Sequence, residues 1–212
     1  MVAPKPQVRT MFATPVCVHF LPVAQEFNAE LRPVILEKAQ PELAQAGNHH
    51  GQGWRSGPDF EAWGGAQVQT LFRVLRDLAD SLTAARSGNR VDLEWKIAAV
   101  AAVRQKGEYL ERAARPGAFW SGVYYVDDGY QKSDDEALGG ACELSDPRGV
   151  LPAMLAPQLA FRVPGGLTAG QTEAIRPQSG MIILHPSWQP RGERRYDGAA
   201  QRITIEFDLS VP

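Results

Sequence analysis

QRITIEFDLSV, residues 201–211, alternates without a break between two kinds of side chain. Side chains of an extended strand point to opposite faces in turn. Ile203, Ile205, Phe207 and Leu209 therefore share one face, and Arg202, Thr204, Glu206 and Asp208 share the other. The first face suits an apolar core and the second is ionic. Taken alone, the segment is an edge strand with a solvated face. What surrounds it in the chain changes that reading.

Upstream of this strand, from Val91 onward, short β-rich runs are divided by Gly and Pro. DLEWKIAAVAAVRQKGEY (92–109), FWSGVYYVDD (119–128), GGACELSDPR (139–148), QLAFRVP (158–164) and GMIILHP (180–186) each have ordinary strand length. The first 90 residues read differently. RTMFATPVCVHFLP (9–22) is an early strand, and VAQEFNAELRPVILEKAQ (23–40) carries Phe27, Leu31, Val34, Ile35 and Leu36 near helical spacing. Pro33 inside it predicts a kink or a division of that helix. A second helix is predicted over 67–86, with Val68, Leu71, Phe72, Leu75, Leu78, Ala79 and Leu82 on one stripe. Helices first and strands later argue for a mainly β architecture: an antiparallel sandwich or open barrel buttressed by N-terminal helices, with room for a small ligand between its sheets.

Composition sets bounds on function. The chain has 212 residues, 44% hydrophobic and 22% charged, enough for one substantial core. One domain over 1–212 is expected, with residues 1–90 as strand plus helices and 91–212 as the barrel. A net charge of -2 offers no basic field, so neither nucleic acid nor an anionic membrane is an expected partner. Cys17 and Cys142 are too few for a disulfide framework and belong to no CxxC, so reduced thiols are expected. With no secretory signal and no apolar run of about 18 residues, the expectation is a cytoplasmic protein. P-loop, GxGxxG and nucleophile-elbow motifs are missing, which argues against NTPase, dinucleotide and hydrolase chemistry.

Several phrases carry a family resemblance. MFATPV (11–16), GWRSGPDFEAW (53–63), RPGAFWSGVYYVDD (115–128), the DPR of Asp146 to Arg148, GMIILHPSW (180–188) and RITIEFDL (202–209) follow one another as they do in the 2-oxoglutarate/Fe(II)-dependent oxygenases. The chain resembles that family over nearly its whole length. The resemblance implies a double-stranded β-helix, the jelly-roll or cupin-like barrel. It also implies an iron site and a site for 2-oxoglutarate. Family members place histidines in a His-x-His-Pro-Gly segment before the SGVYYV strand and another histidine after Pro-Ser-Trp. An arginine followed two positions later by a hydroxyl residue grips the distal carboxylate of 2-oxoglutarate, a match of planar fork to carboxylate.

Here the two halves of that site part company. Ala113, Ala114, Arg115, Pro116 and Gly117 stand where the first segment belongs, and Gln189, Pro190, Arg191 and Gly192 follow Trp188. A methyl group cannot ligate, and the guanidinium groups of Arg115 and Arg191 have no lone pair to give and repel a cation. Arg202 and Thr204 match the carboxylate grip. The resemblance therefore argues against Fe(II) and leaves 2-oxoglutarate or another small anion as the ligand to expect, with Arg202, Thr204, Arg191, Arg115 and a strand tyrosine, Tyr124, as binding residues. Glu111 and His185 are the residues nearest a rescue of the metal. His185 shares a face with Met181 and Ile183 and reads as a core or turn histidine; His49 and His50 are adjacent in a polar loop.

If Arg115, Arg191 and Arg202 converge, something must neutralise them. Glu206, Glu111, Glu143 and Asp146 are the internal candidates and a bound anion is the external one. The five tryptophans are expected in core and rim packing. The acidic loop DDGYQKSDDEALGG (127–140) lacks calcium-loop spacing and reads as a mobile hairpin connection or lid. Three functions stay open: a non-catalytic binder of a small anion, a divergent 2-oxoglutarate-dependent enzyme with unidentified ligands, and a structural or interaction protein, including a homodimer.

Overall fold

The computed structural model describes residues 8–9, 11–45, 53–149, 154–163, 166–168, 170 and 172–212. His49 and His50 lie outside the described residues. The chain begins with β1 (Cys17–Phe20), helix α1 (Ala24–Gln45), β2 (Trp54–Arg55), α2 (Phe60–Trp63) and α3 (Gly65–Leu82). It then forms β3 (Lys96–Arg104), β4 (Leu110–Ala113), β5 (Trp120–Asp127), β6 (Cys142–Ser145), β7 (Phe161–Val163), β8 (Gly166–Thr168), β9 (Thr172–Ile175), β10 (Met181–Pro186), β11 (Arg191–Glu193) and β12 (Arg202–Ser210).

Six strands form one antiparallel sheet in the order β1-β10-β5-β12-β3-β2, and four form a second in the order β4-β11-β6-β9. From β3 to β6 and again from β9 to β12 the chain passes back and forth between the two sheets, the winding expected of the jelly roll. The alternation of the last strand now has a cause. Ile203, Ile205, Phe207 and Leu209 join a core with Phe27, Leu31, Ile35 and Ala39 of α1 and Val68, Leu71, Phe72, Leu75 and Ala79 of α3. A smaller core of Val123, Tyr125, Cys142, Leu144, Met181 and Ile183 lies on the opposite side of the large sheet. β12 is central, paired with β3 on one side and β5 on the other. Its ionic face is therefore turned into the barrel rather than into water.

Helix α1 differs from its expected course: it runs unbroken through Pro33 and Pro41. Its buried positions recur every four residues, at Phe27, Leu31, Ile35 and Ala39, while both prolines are exposed. A carbonyl freed by a proline on the solvent side can turn to water, and the buried stripe holds the helix together across it. The early strand is shorter than expected, and β2, β4, β8, β9 and β11 were not marked in the sequence. Both cysteines are free thiols. Trp54, Trp95 and Trp120 are buried, Trp63 is half-buried and Trp188 is exposed. Among the described residues no helix is long and apolar enough to cross a membrane.

Candidate functional site

Register sets the layers of the barrel interior. His185 of β10, Ser121 of β5 and Asp208 of β12 stand side by side on neighbouring strands. One layer along, Ile183, Val123 and Glu206 are paired, and beyond them Tyr125, Thr204 and Ala102. Arg202 and Arg104 face each other at the far end.

Glu206 gathers four guanidinium groups. Arg104 donates to its Oε1 at 2.5 Å and Arg55 to its Oε2 at 2.6 Å. Arg115 and Arg191 approach the same Oε2 at 3.6 and 3.8 Å. Burial alone would push the Glu206 carboxyl up, but Arg104, Arg191 and Arg55 outweigh it and bring it down to about 2. Glu193 is the second carboxylate. It accepts from Tyr125 at 2.9 Å and from Arg191 at 3.2 Å, and its Oε2 lies 3.4 Å from Arg104 and 4.0 Å from Arg202. Burial works against the charge of Arg191, yet Glu206 and Glu193 hold its pKa above the ordinary arginine value. Burial raises the Tyr125 hydroxyl well above its usual range, and the thiol of Cys142 and the charge of Glu193 add to it, so Tyr125 is a donor here.

Arg115, Arg191 and Arg202 thus belong to one network, but Arg202 does not open toward the mouth. It is fully buried, and the acidic segment 127–140 closes over it. Its Nε donates to the carbonyl of Asp128 at 3.0 Å, and its Nη1 donates to the carbonyl of Gly140. Its guanidinium lies 4.8 and 4.4 Å from the ring centres of Tyr130 and Tyr196. Thr204 accepts from Arg104 at 3.2 Å. Both residues of the expected carboxylate grip are engaged inside the protein. The segment 127–140 is correspondingly no loose lid. Asp128 accepts from the amide and hydroxyl of Ser179, and Tyr130 donates to the carbonyl of Gly139 at 2.6 Å.

Tyr124 requires a correction. It points to the helix side, where its hydroxyl donates to Asn28 at 2.6 Å and its ring packs edge-on against Phe27. Tyr125, its neighbour, takes the interior place because successive side chains alternate. Of the expected neutralising carboxylates only Glu206 serves. Glu143 pairs with Arg112 and Arg194, Asp146 pairs with Arg148, and Glu111 is exposed. Glu193, Arg104 and Arg55 complete the network without having been singled out in the sequence.

The residues present do not fit an iron ion. Ala113 is an exposed methyl paired across the strands with Arg191, whose buried guanidinium donates to Glu193. Among the described residues no three His, Cys, Asp or Glu side chains come together as a metal-binding group. His185 is buried and uses Nδ1 on the carbonyl of Pro186 at 3.0 Å. Burial, then the charge of Arg191, lowers its pKa to about 4, so it is neutral at physiological pH.

Against β12, β3 and β5 lies a cleft of about 150 Å³ lined in part by Arg55, Arg115, Arg191, Glu206, Ser121 and Asp208. Two facing antiparallel sheets wound in this way, with helices behind the larger, define a double-stranded β-helix of the 2-oxoglutarate oxygenase type. A prolyl-4-hydroxylase of Pseudomonas putida is similar in fold, with a TM-score of 0.59 at 12% identity over 94% of this chain and 92% of that one. So is a Trichoplax adhaerens prolyl hydroxylase in complex with a hypoxia inducible factor peptide fragment, with a TM-score of 0.62 at 14% identity over 92% and 83%. HygX from Streptomyces hygroscopicus, with nickel and 2-oxoglutarate bound, gives 0.58 at 13% identity over 93% and 83%. Among curated proteins none matches in sequence. The chain belongs to the family described as "Putative 2OG-Fe(II) oxygenase", whose profile matches residues 100–208.

Proposed function

We propose that this chain is a non-catalytic member of its family, with a degenerate metal site, that binds a small carboxylate or other anion at the mouth of the barrel. The carrying observation is the charge balance of the interior. Arg55, Arg104, Arg115, Arg191 and Arg202 contribute five positive charges to the ion-pair network and Glu193 and Glu206 two negative ones, a difference of +3, and the two further acids on the cleft, Asp208 and Glu61, still leave the arginines in excess by one. Arg55 and Arg115 are partly solvated, which softens their share of that excess. Arg202 lies off the cleft under segment 127–140, with Nε and Nη1 on backbone carbonyls and Nη2 buried without a hydrogen-bond partner among the described residues, so the arginines that line the cleft for an anion are Arg115, Arg191 and Arg55. A guanidinium offers paired donors that suit a carboxylate or a phosphate.

Calorimetric titration of metal-stripped protein with 2-oxoglutarate, citrate and phosphate tests this. Saturable binding that is indifferent to Fe(II) and Mn(II) and is weakened in Arg115→Ala is the expected result. Binding that requires the metal, or conversion of 2-oxoglutarate to succinate, would overturn it in favour of a divergent oxygenase. No binding at millimolar concentration would leave a structural role.

A further inference from the structure

The cleft at the mouth carries charge of both signs, and this narrows the ligand. Arg115 makes one contact with an acid, at 3.6 Å from Glu206, and the contact of Arg191 with the same oxygen, at 3.8 Å, is too long for a hydrogen bond. The same cleft is lined by two carboxylates that lack a cation. Asp208 accepts from Ser121 at 2.6 Å and Glu61 from Gln69 at 3.1 Å, and among the described residues neither has an ion-pair partner. A simple dianion seated on Arg115 and Arg191 would lie beside these two acids and be repelled by them.

Spacing favours a compact molecule that satisfies both ends. Glu206, which Arg115 and Arg191 flank, and Asp208 are two residues apart on the same face of β12, about 7 Å along the strand. The cleft volume of about 150 Å³ equals the liquid share of about five waters. Resting on the anion-binding reading above, we infer that the cleft takes a small zwitterion, an α-amino acid, with its carboxylate on Arg115 and Arg191 and its ammonium on Asp208 and Glu61. The hydroxyl of Ser121 holds Asp208 in place for that contact.

L-glutamate, 2-oxoglutarate and glutarate share one five-carbon diacid skeleton and differ in the ammonium group, so calorimetry of the full chain with each separates the possibilities. L-glutamate is expected to bind at least ~5-fold more tightly than the other two, the scale of one charge-assisted contact. In Asp208→Asn, which can still accept from Ser121, that ratio falls toward one. Equal or tighter binding of 2-oxoglutarate or glutarate, or a preference that survives in Asp208→Asn, overturns the zwitterion and leaves the anion reading standing. Binding by none of the three overturns both.

Discussion

The two faces of β12 are both buried, yet they are held by opposite means. On the helix side Ile203, Ile205, Phe207 and Leu209 pack against α1 and α3, and each contributes in proportion to the apolar area it hides. On the barrel side Arg202, Thr204 and Glu206 are equally hidden but depend on one another for charge and hydrogen bonds. Trimming the first face is graded, whereas removing one member of the second leaves a buried charge without its counter-ion. One strand thus shows which part of the fold tolerates change and which part is interlocked.

The hardest blow to the interior is Glu206→Gln, which takes the carboxylate from four arginines. A loss of about 3–5 kcal/mol is expected in urea unfolding. A loss under about 1 kcal/mol would show that water screens the network and would erase the contrast between the faces. Because the Glu206 pKa is lowered from 4.5 to about 2, its ionisation stabilises fully above pH 4.5 and that contribution fades as pH falls toward 2. The glutamine variant lacks this part of the acid limb.

His185 sharpens the comparison in a milder pH range. Its pKa falls from 6.5 to about 4 on folding, so below pH 6.5 the unfolded chain takes up a proton that the folded one refuses. Stability is complete above pH 6.5 and drops by roughly 3 kcal/mol as pH falls toward 4. In His185→Gln the stability curve should be flatter over that interval, as followed by denaturant midpoints. Gly140→Ala probes the closure over Arg202. Gly140 has φ +70°, and a Cβ there would collide with the guanidinium, so a loss of about 1–3 kcal/mol is expected by thermal unfolding. The smallest effect belongs to the apolar face, where Ile205→Val should cost about 1 kcal/mol in the same assay.

Much of this contrast was legible in the sequence, and its gaps have physical causes. The alternation of residues 202–209 marked the strand and its two faces, and the resemblance brought Arg115 and Arg191 to the mouth. Alternation cannot say which parity faces the barrel, so Tyr124 and Tyr125 were interchangeable until pairing was known. The register between β12 and β5 slips between Ile203 and Thr204, beside those tyrosines. Glu193 was hidden because β11 is three residues long and follows a proline, too short for any periodicity. Arg55 lay in a turn-rich segment and Arg104 at a strand end, where an arginine ordinarily reads as solvated. Their partners are 151 and 102 residues away, and no local pattern reports so distant a contact.

The closure of segment 127–140 over Arg202 also bears on how the chain meets a protease. Its acidic, glycine-bordered composition advertises a site for nicking, and Asp134, Asp135 and Glu136 are exposed. A protease needs several residues drawn out as an extended strand. Here that would unhook the carbonyls of Asp128 and Gly140 from Arg202, and those of Ser133 and Asp135 from Arg176. Cleavage after Glu136 therefore has to wait for Arg202 to let go, so the rate of that cut measures how often the sealed end of the barrel opens.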